Sequence, residues 1–516
     1  MTTPLLEVSN LNVKFSNKKS DVHALRDVSF SLQPGETLVS GIAGLGVALA
    51  AGRAGHDVTL IERDDTPLPP DASSAFGWER HGAPQVRHSH ALLARLRNLL
   101  RDRYPDVLDA LFAAGATTLD FVAMLPDDMD RSPHPGDEDL VALACRRTTF
   151  EWVLRRIVLR DGAELVHGVA VRGLRCERGG AAPPLVTGVE LSDGTTFDAD
   201  VVVLANGRRG DPGALLRPHG VEVRERSEDT GIVYYSRFFR LVDGAGYPPQ
   251  VGPIGGDLDY LKFGVFPGDD RTFSVTLAAR SRDTELRRRL QDPDTFLRVA
   301  EAIPTTRPYV EPDRSLPITD VYVMAGLLNR RRWFLGDDGA PVVLGLHAVG
   351  DAHTCTNPLY GRGCSLALVQ AQLLADALEE HGLDHEARAL AYEAATERDV
   401  TPWYRAAVAQ DRLGRTQPAG GDGGANGPVE EARDEQAREQ AELARSLLRD
   451  GLFPALRTDP VVLRAFLRMM NLLAPPDALV TDGDVVTRVM QVYARRGERP
   501  PEPPVGPGRE ELLARL

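Results

Sequence analysis

The sequence predicts an α/β chain: a doubly wound, Rossmann-like domain with an inserted antiparallel sheet, followed by a helical C-terminal region. Three observations predict it. Gly41 and Gly44 open a helix of small residues, and the short strand Val58 to Ile61 that follows ends on Glu62. That is the order of a βαβ unit whose glycines let the backbone approach a phosphate. Far downstream, the apolar run Pro341 to Val349 reads as a buried strand and feeds into Gly350 to Leu366, GDAHTCTNPLYGRGCSL. A helix with apolar Leu366, Val369, Leu373, Leu374, Ala377 and Leu378 leaves that stretch. Between the two lie Ile232 to Leu241, Leu261 to Phe266 and Thr272 to Ala279, read as strands, with Pro267 to Asp270 as a hairpin.

A chain of 516 residues holds two or three domains. Its net charge of −14 argues against a nucleic-acid partner, because phosphate contacts need a basic surface. Cys145, Cys176, Cys355 and Cys364 show neither metal-ligand spacing nor a disulfide framework, which suits a reducing, cytoplasmic compartment. The opening MTTPLLEVSN lacks the basic start and apolar core of a signal peptide. No run of about 18 apolar residues is present to span a bilayer.

Residues 1–39 stand apart. Lys14, Lys18 and Lys19 lie here, and Lys262 is the only other lysine. The text LLEVSNLNVKFSNKKSDVHALRDVSFSLQPGETL resembles the opening of an ABC-transporter ATPase. That family then requires G-x-x-x-x-G-K-[ST], but Val39-Ser40-Gly41-Ile42-Ala43-Gly44-Leu45 follows, so ATP hydrolysis is not expected. The segment reads as a truncated ATPase start fused to a different protein near Leu38 to Gly41; a lineage-specific extension is the alternative. Glu36 to Val39 is expected as a strand beside Val58 to Ile61. In the G-x-G-x-x-G frame Val39 stands at the first glycine, a substitution costing on the order of 1 kcal/mol if φ must be positive.

Next, Gly82 to His90 contains His88 and His90 two residues apart. No acid or cysteine cluster accompanies them, so no metal site is expected. A helix is predicted from about Ala91 to Arg103, and Arg147 to Leu154 reads RTTFEWVL. Leu165 to Val171, Pro184 to Leu191 and Thr196 to Phe197 read as a β-meander. DADVVVLANGRRG, Asp198 to Gly210, reads as a strand and a glycine turn. Helices around Asp283 to Leu290 and Thr295 to Ala302 should cover one face of the inserted sheet. Tyr234, Tyr235, Phe238, Tyr260 and Phe263 are candidates for its other, ligand-lining face; alternation along the strands leaves their assignment open. After the helix that runs to about His381, 417–428 reads as a flexible linker, Glu430 to Arg449 as a solvated helix, Pro460 to Leu473 as a docking segment and Pro500 to Pro507 as extended.

As a set, the glycine-opened unit, the P-Q-x-x-H-x-H stretch, RTTFEWVL, DADVVVLANGRRG and GDAHTCTNPLYGRG resemble motifs of FAD-dependent monooxygenases of the aromatic-hydroxylase and epoxidase-like type. The resemblance covers Gly41 to about Leu390. It implies that Gly41 and Gly44 approach the FAD pyrophosphate, and that Glu62, with Arg63 beside it, meets the adenosine ribose. Arg146 or Arg147, with the spacing to Phe150 and Glu151 favouring Arg147, would face the pyrophosphate region, and Gly207 lies in the segment that touches FAD and the incoming nicotinamide. Gly350 and Asp351 would hold the ribityl chain, with Pro358, Gly361 and Gly363 at the flavin ring's pyrimidine edge. Asn206 stands where Asp is usual and Gly210 where Ser is usual, which bears on the nicotinamide more than on the flavin.

The implied function is an FAD-dependent oxidoreductase, a monooxygenase using NAD(P)H and O2 on a small apolar or aromatic molecule. A flavin-dependent reductase, dehydrogenase or halogenase on the same fold is the alternative, although no lysine-bearing halogenase signature is visible. A fusion product with an impaired FAD site and no catalysis is the alternative of another class. No obligatory acid or base follows; Arg87, His88 and His90 are the catalytic candidates. The implied domains are 1–39, the FAD-binding parts 40–215 and 340–395, the substrate-covering sheet 216–339 and the helical region 396–516.

Overall fold

The computed structural model describes residues 6–17, 20–32, 41–125, 128–177, 182–249, 254–415, 442–499 and 505–516, with the backbone alone for 6–17 and 20–32. The expected strand at 36–39, the substitution at Val39 and the linker 417–428 lie outside the described residues. Of the helix expected over 430–449, the part from residue 442 is described and is helical; of the extended 500–507, the part from 505 is described.

Small residues make the first helix, Ile42–Arg53, and nine of its twelve residues are buried. Gly46 weakens a helix interior by up to about 1 kcal/mol, yet it permits the packing. A Cβ there would lie 2.7 Å from Leu368 Cδ2 and 3.1 Å from Ala371 Cβ on the helix Gly363–His381. These two helices flank two parallel strand pairs, Thr59–Glu62 with Glu164–His167 and Val202–Leu204 with Leu346–Ala348. Among the described residues, Thr59–Glu62 is paired on one edge only.

The meander is smaller than the sequence suggests. It comprises Val171–Glu177, Leu185–Leu191 and Thr196–Asp198. Glu164–His167 belongs to the parallel pair instead, because Leu165 and Val166 pack into two different apolar clusters, one on each face. A strand buried on both faces suits a parallel sheet covered by helices. The apolar run 341–349 is likewise a strand only over Leu346–Ala348.

Between these halves lies the inserted antiparallel sheet. Its order is Gly255–Asp257, Leu261–Pro267, Thr272–Arg280, Ile232–Leu241 and Ser315–Pro317, with Tyr322–Met324 also paired to Ile232–Leu241. Alternation divides its residues. Val233, Tyr235, Phe239, Val275, Leu277 and Ala279 form a core with Leu286, Phe296 and Val299 of the covering helices Thr284–Arg289 and Pro293–Ala302. Tyr234, Ser236, Thr276 and Ala278 face the other way, onto a cavity.

At the C-terminal end, Met469 of the helix Pro460–Met470 and Leu472 just after it dock against Leu93, Leu366, Val400 and Trp403. Residues 6–17 and 20–32 form an antiparallel pair that joins no other described sheet. No helix among the described residues is long and apolar enough to cross a membrane.

Candidate active site

One cavity of about 300 Å³ joins the two parallel-strand regions to the inner face of the inserted sheet. That lies at the lower end of the size usual for small-ligand sites. Gly41, Ile42 and Ala43 contribute the start of the first helix. Gly41 is its N-cap and makes no side-chain cap bond, and no acid stands in the first turn. The first-turn N–H groups and the helix dipole thus favour an anion here. Arg147 lines the same wall, and its Nη2 would lie 3.5 Å from a Cβ on Gly41.

Asp351 enters at the end of the Leu346–Ala348 strand. Gly350 before it has φ +66°, and a Cβ there would lie 2.7 Å from Ala43 Cβ. Glycine therefore brings the carboxylate turn directly against the first helix. Gln370 Oε1 accepts from Gly350 N at 2.8 Å and fixes the turn. Burial raises the Asp351 carboxyl above its usual range, against the opposing pull of Arg147 and Arg208 and a hydrogen bond from the Cys355 thiol. Pro358, Gly361, Gly363 and Cys364 continue the wall. Gly361, at φ +65°, admits Ala91, whose Cβ would lie 2.7 Å from a Cβ at Gly361. The helix Gly363–His381 also begins without a side-chain cap or a first-turn acid, so a second set of N–H groups is available.

Asn206 and Gly207 complete this side. The Asn206 carboxamide is buried and neither its nitrogen nor its oxygen has a partner among the described residues. A Cβ at Gly210 would lie 2.0 Å from Asn206 Cγ, so glycine at 210 makes room for this amide. A buried, unpaired amide costs on the order of 1–3 kcal/mol unless a ligand satisfies it.

Of the residues read from the sequence, Gly41, Arg147, Gly207, Asp351, Pro358, Gly361, Gly363, His88 and His90 line the cavity. Gly44 is buried in the first helix, and Gly350 shapes the cavity from behind. Arg63 is exposed, and exposed Arg87 lies over the Tyr322 ring at 5.7 Å. Glu62 is fully buried away from the cavity. Arg80 donates from Nη2 to its Oε2 at 2.9 Å, from Nη1 to Glu151 at 3.0 Å and from Nε to Asp64 at 3.4 Å. His90 Nδ1 donates to the His88 carbonyl at 2.9 Å, so its Nε2 accepts from Arg147 Nη1 at 3.0 Å. Both ring nitrogens are thereby engaged, and His90 positions Arg147.

Tyr234 lines the cavity; Phe263 borders it, but lies opposite Leu277 and packs with the helix-covered core, and three other aromatic candidates do not reach the cavity. Tyr235 is core, with its hydroxyl on the Arg287 carbonyl at 2.9 Å. Phe238 packs edge-on against Phe76. Tyr260 lines a neighbouring cavity of about 220 Å³ and donates to the Pro507 carbonyl. Sequence reasoning missed Ser89, Ser236, Thr276, Arg208 and Cys355 as wall residues. A signal was present for two of them: hydroxyls at Ser236, Ser274 and Thr276 interrupt otherwise apolar strands at a two-residue phase. Lys262 lines both cavities and pairs with Asp257.

No family model matches the chain. Protein Rv3254 of Mycobacterium tuberculosis is 28% identical over 367 residues, which is 66% of this chain and 71% of the relative. Among solved structures, the flavin-dependent brominase Bmp2 superposes with TM-score 0.54 at 16% identity, covering 89% of this chain and 98% of its own. The myxobacterial chondrochloren halogenase CndH, a variant of the FAD-dependent halogenases, gives 0.53 at 18%, covering 84% and 95%. PqsL of P. aeruginosa, in complex with 2-aminobenzoylacetate, gives 0.52 at 16%, covering 73% and 94%. The chain therefore has the fold of FAD-binding monooxygenases and halogenases.

Proposed function

We propose that the chain is an FAD-dependent oxidoreductase of the monooxygenase type, using NAD(P)H and O2 on a small apolar or aromatic molecule. One observation carries the reading. A single cavity joins two uncapped helix starts, a half-buried carboxylate and an unsatisfied amide to the inner face of the inserted sheet. These residues fit the group. Asp351 is an acceptor for ribityl hydroxyls, the N–H groups at Gly41 to Ala43 and the Arg147 guanidinium suit a pyrophosphate, and the N–H groups at Gly363 and Cys364 suit a polar ring edge. When bound, FAD supplies the electron transfer and oxygen chemistry. The chain's own residues orient it, exclude water behind Tyr234, and hold the other reactant against the sheet.

The adenosine end is less prepared. Glu62 is held by Arg80, so a ribose contact there requires Arg80 to give way. This favours a shallow grip on the adenosine. Lys262 at the cavity wall and the halogenase-like fold support a second reading, halogenation on the same scaffold. Residues 1–39 are proposed as an appended segment that resembles an ATPase start and has no phosphate-binding Lys-Ser/Thr.

The visible spectrum of the purified protein tests the first step: flavin absorption with a flavin-to-protein ratio near one is expected. NAD(P)H-driven oxygen uptake then tests the second. A colourless protein that takes up no added FAD overturns the reading, and oxygen uptake that depends on halide moves it to halogenation.

A further inference from the structure

Four hydroxyls and one imidazole form a continuous chain along the sheet side of the cavity. Ser89 Oγ donates to Ser274 Oγ at 2.7 Å, and Thr276 Oγ1 donates to Ser89 Oγ at 2.6 Å. Ser236 Oγ lies 3.0 Å from Thr276 Oγ1, and His88 Nδ1 lies 3.2 Å from Ser236 Oγ. A hydroxyl has one proton to give. Thr276 spends its proton on Ser89, so Ser236 must donate to Thr276. Ser236 then has none left, so the Nδ1–H of His88 must donate to Ser236. The order of protons along the chain thus fixes the tautomer of His88 and leaves Nε2 as a lone-pair acceptor. No hydrogen bond to Nε2 is made among the described residues, and the ring forms part of the cavity wall.

The surroundings keep this acceptor neutral. Burial, with the Arg208 guanidinium beside it, pushes the His88 imidazole down to about 4. At neutral pH it is an acceptor of a hydrogen bond and a poor base. On the sheet side the same cavity is lined by apolar Tyr234, Ala278 and Met324, with Arg208 beside the His88 ring. In such a pocket an unpaired donor on a ligand is penalised, whereas a donor that meets a fixed acceptor is rewarded.

We propose that His88 is the specificity-determining residue of the sheet-side chamber, a fixed acceptor for one O–H or N–H of an otherwise apolar neutral ligand, with Ser236 and Thr276 as positioning residues that hold its tautomer. The proposal rests on the flavoenzyme reading for the identity of that ligand as substrate, though not for its binding.

Two probe pairs test it, each differing by one methyl group on the donor: phenol with anisole, and indole with 1-methylindole. Ligand-observed NMR titration of the purified full chain gives the dissociation constants, and the flavin-to-protein ratio is read on the same samples. The parent should bind each donor probe at least tenfold more tightly than its methylated partner. His88→Phe should bring each ratio within twofold. Ser236→Ala, which frees the tautomer without removing the imidazole, should lower the ratios severalfold, and Ser236→Thr should restore them. Flavin content should be unchanged in all three.

Ratios within twofold in the parent, no binding of either donor probe, or a preference that survives His88→Phe overturns the proposal. If His88→Phe does not fold, the Ser236 pair decides: equal preferences in Ala and Thr variants overturn it. A parent with flavin but no preference sinks this proposal alone. A preference in a chain that takes up no FAD sinks the flavoenzyme reading alone.

Discussion

Asp351 shows how one residue carries both cost and use. Its half-buried carboxyl is held above the ordinary value, chiefly through desolvation. A raised carboxyl pKa favours the protonated folded state, so the ionised group costs stability once the pH exceeds its folded pKa and costs nothing below the unfolded value. Asp351→Asn should therefore raise the melting temperature of the flavin-free protein at pH 7. It should also weaken FAD, because a charged acceptor of hydrogen bonds is worth about 1.5–3 kcal/mol, or roughly ten- to hundredfold in affinity. Calorimetry and flavin content on the same preparation check both; equal flavin retention would sink the ribityl assignment. This residue was legible because Gly-Asp at a strand end followed by a glycine-rich turn is an unusual text. Asn206 was legible only as a departure from a pattern, since the room made for it by Gly210 is a matter of 2.0 Å in space. Ser236 and Thr276 were hidden because a hydroxyl in a strand reads the same whether it faces a cavity or a helix.

At the scale of elements, the buried charges around Arg80 fasten the strand Thr59–Glu62 to the helix Arg147–Arg160. Arg80 bridges Glu62, Asp64 and Glu151, and its guanidinium lies over the Trp78 ring at 4.6 Å. Removing one partner of a buried ion cluster leaves the others uncompensated, typically at about 3–5 kcal/mol. Arg80→Met should lower the unfolding free energy by that order, read as a lower urea midpoint at unchanged m, and adding Glu62→Gln should recover part of it. A single variant as stable as the parent would show that the three carboxylates find other partners. Helices with strong apolar periodicity, such as Gly363–His381, were legible to within a turn of their ends. The aromatic wall was not. Tyr234 and Tyr235 are neighbours in sequence and point to opposite faces, and only the covering helix with Phe296 and Val299 sets which face is core. Glu164–His167 was misassigned for a related reason: a short apolar run does not say whether its partner is parallel or antiparallel.

Across the whole molecule, the division into two parallel-strand regions with an inserted antiparallel sheet was legible, because turn-rich text separates the runs. Among the described residues, 6–17 and 20–32 pair only with each other, and the body is expected not to depend on them. Deleting residues 2–32 should leave flavin content and melting temperature unchanged; loss of either would show that the segment is part of the body. A broader property follows from three buried imidazoles and the half-buried His90. His88 and His353 are pushed down to about 4, His347 to about 3, and His90 well below the usual value, each mainly by burial. Each is neutral in the folded state. Below about pH 6.5 the unfolded chain takes up protons that the folded chain refuses, so stability is fully present above that pH and falls until the folded values are reached. The steepest loss, at up to about 1.4 kcal/mol per pH unit for each imidazole, lies between pH 6 and 4.5 or so. Carboxylates held low by guanidinium groups, such as Asp106 beside Arg53, titrate below this window and do not add to it. Urea midpoints at pH 7, 5.5 and 4.5 should therefore fall in sequence. His347→Gln keeps an acceptor for the Arg388 Nε–H, which lies 3.1 Å from His347 Nε2 in the parent, and removes one titrating group. It should reduce the pH slope by about one proton without changing the midpoint order. A flat profile from pH 7 to 4.5 would mean that at least some of these imidazoles are protonated in place, and that the chain opens locally to water where it is here close-packed.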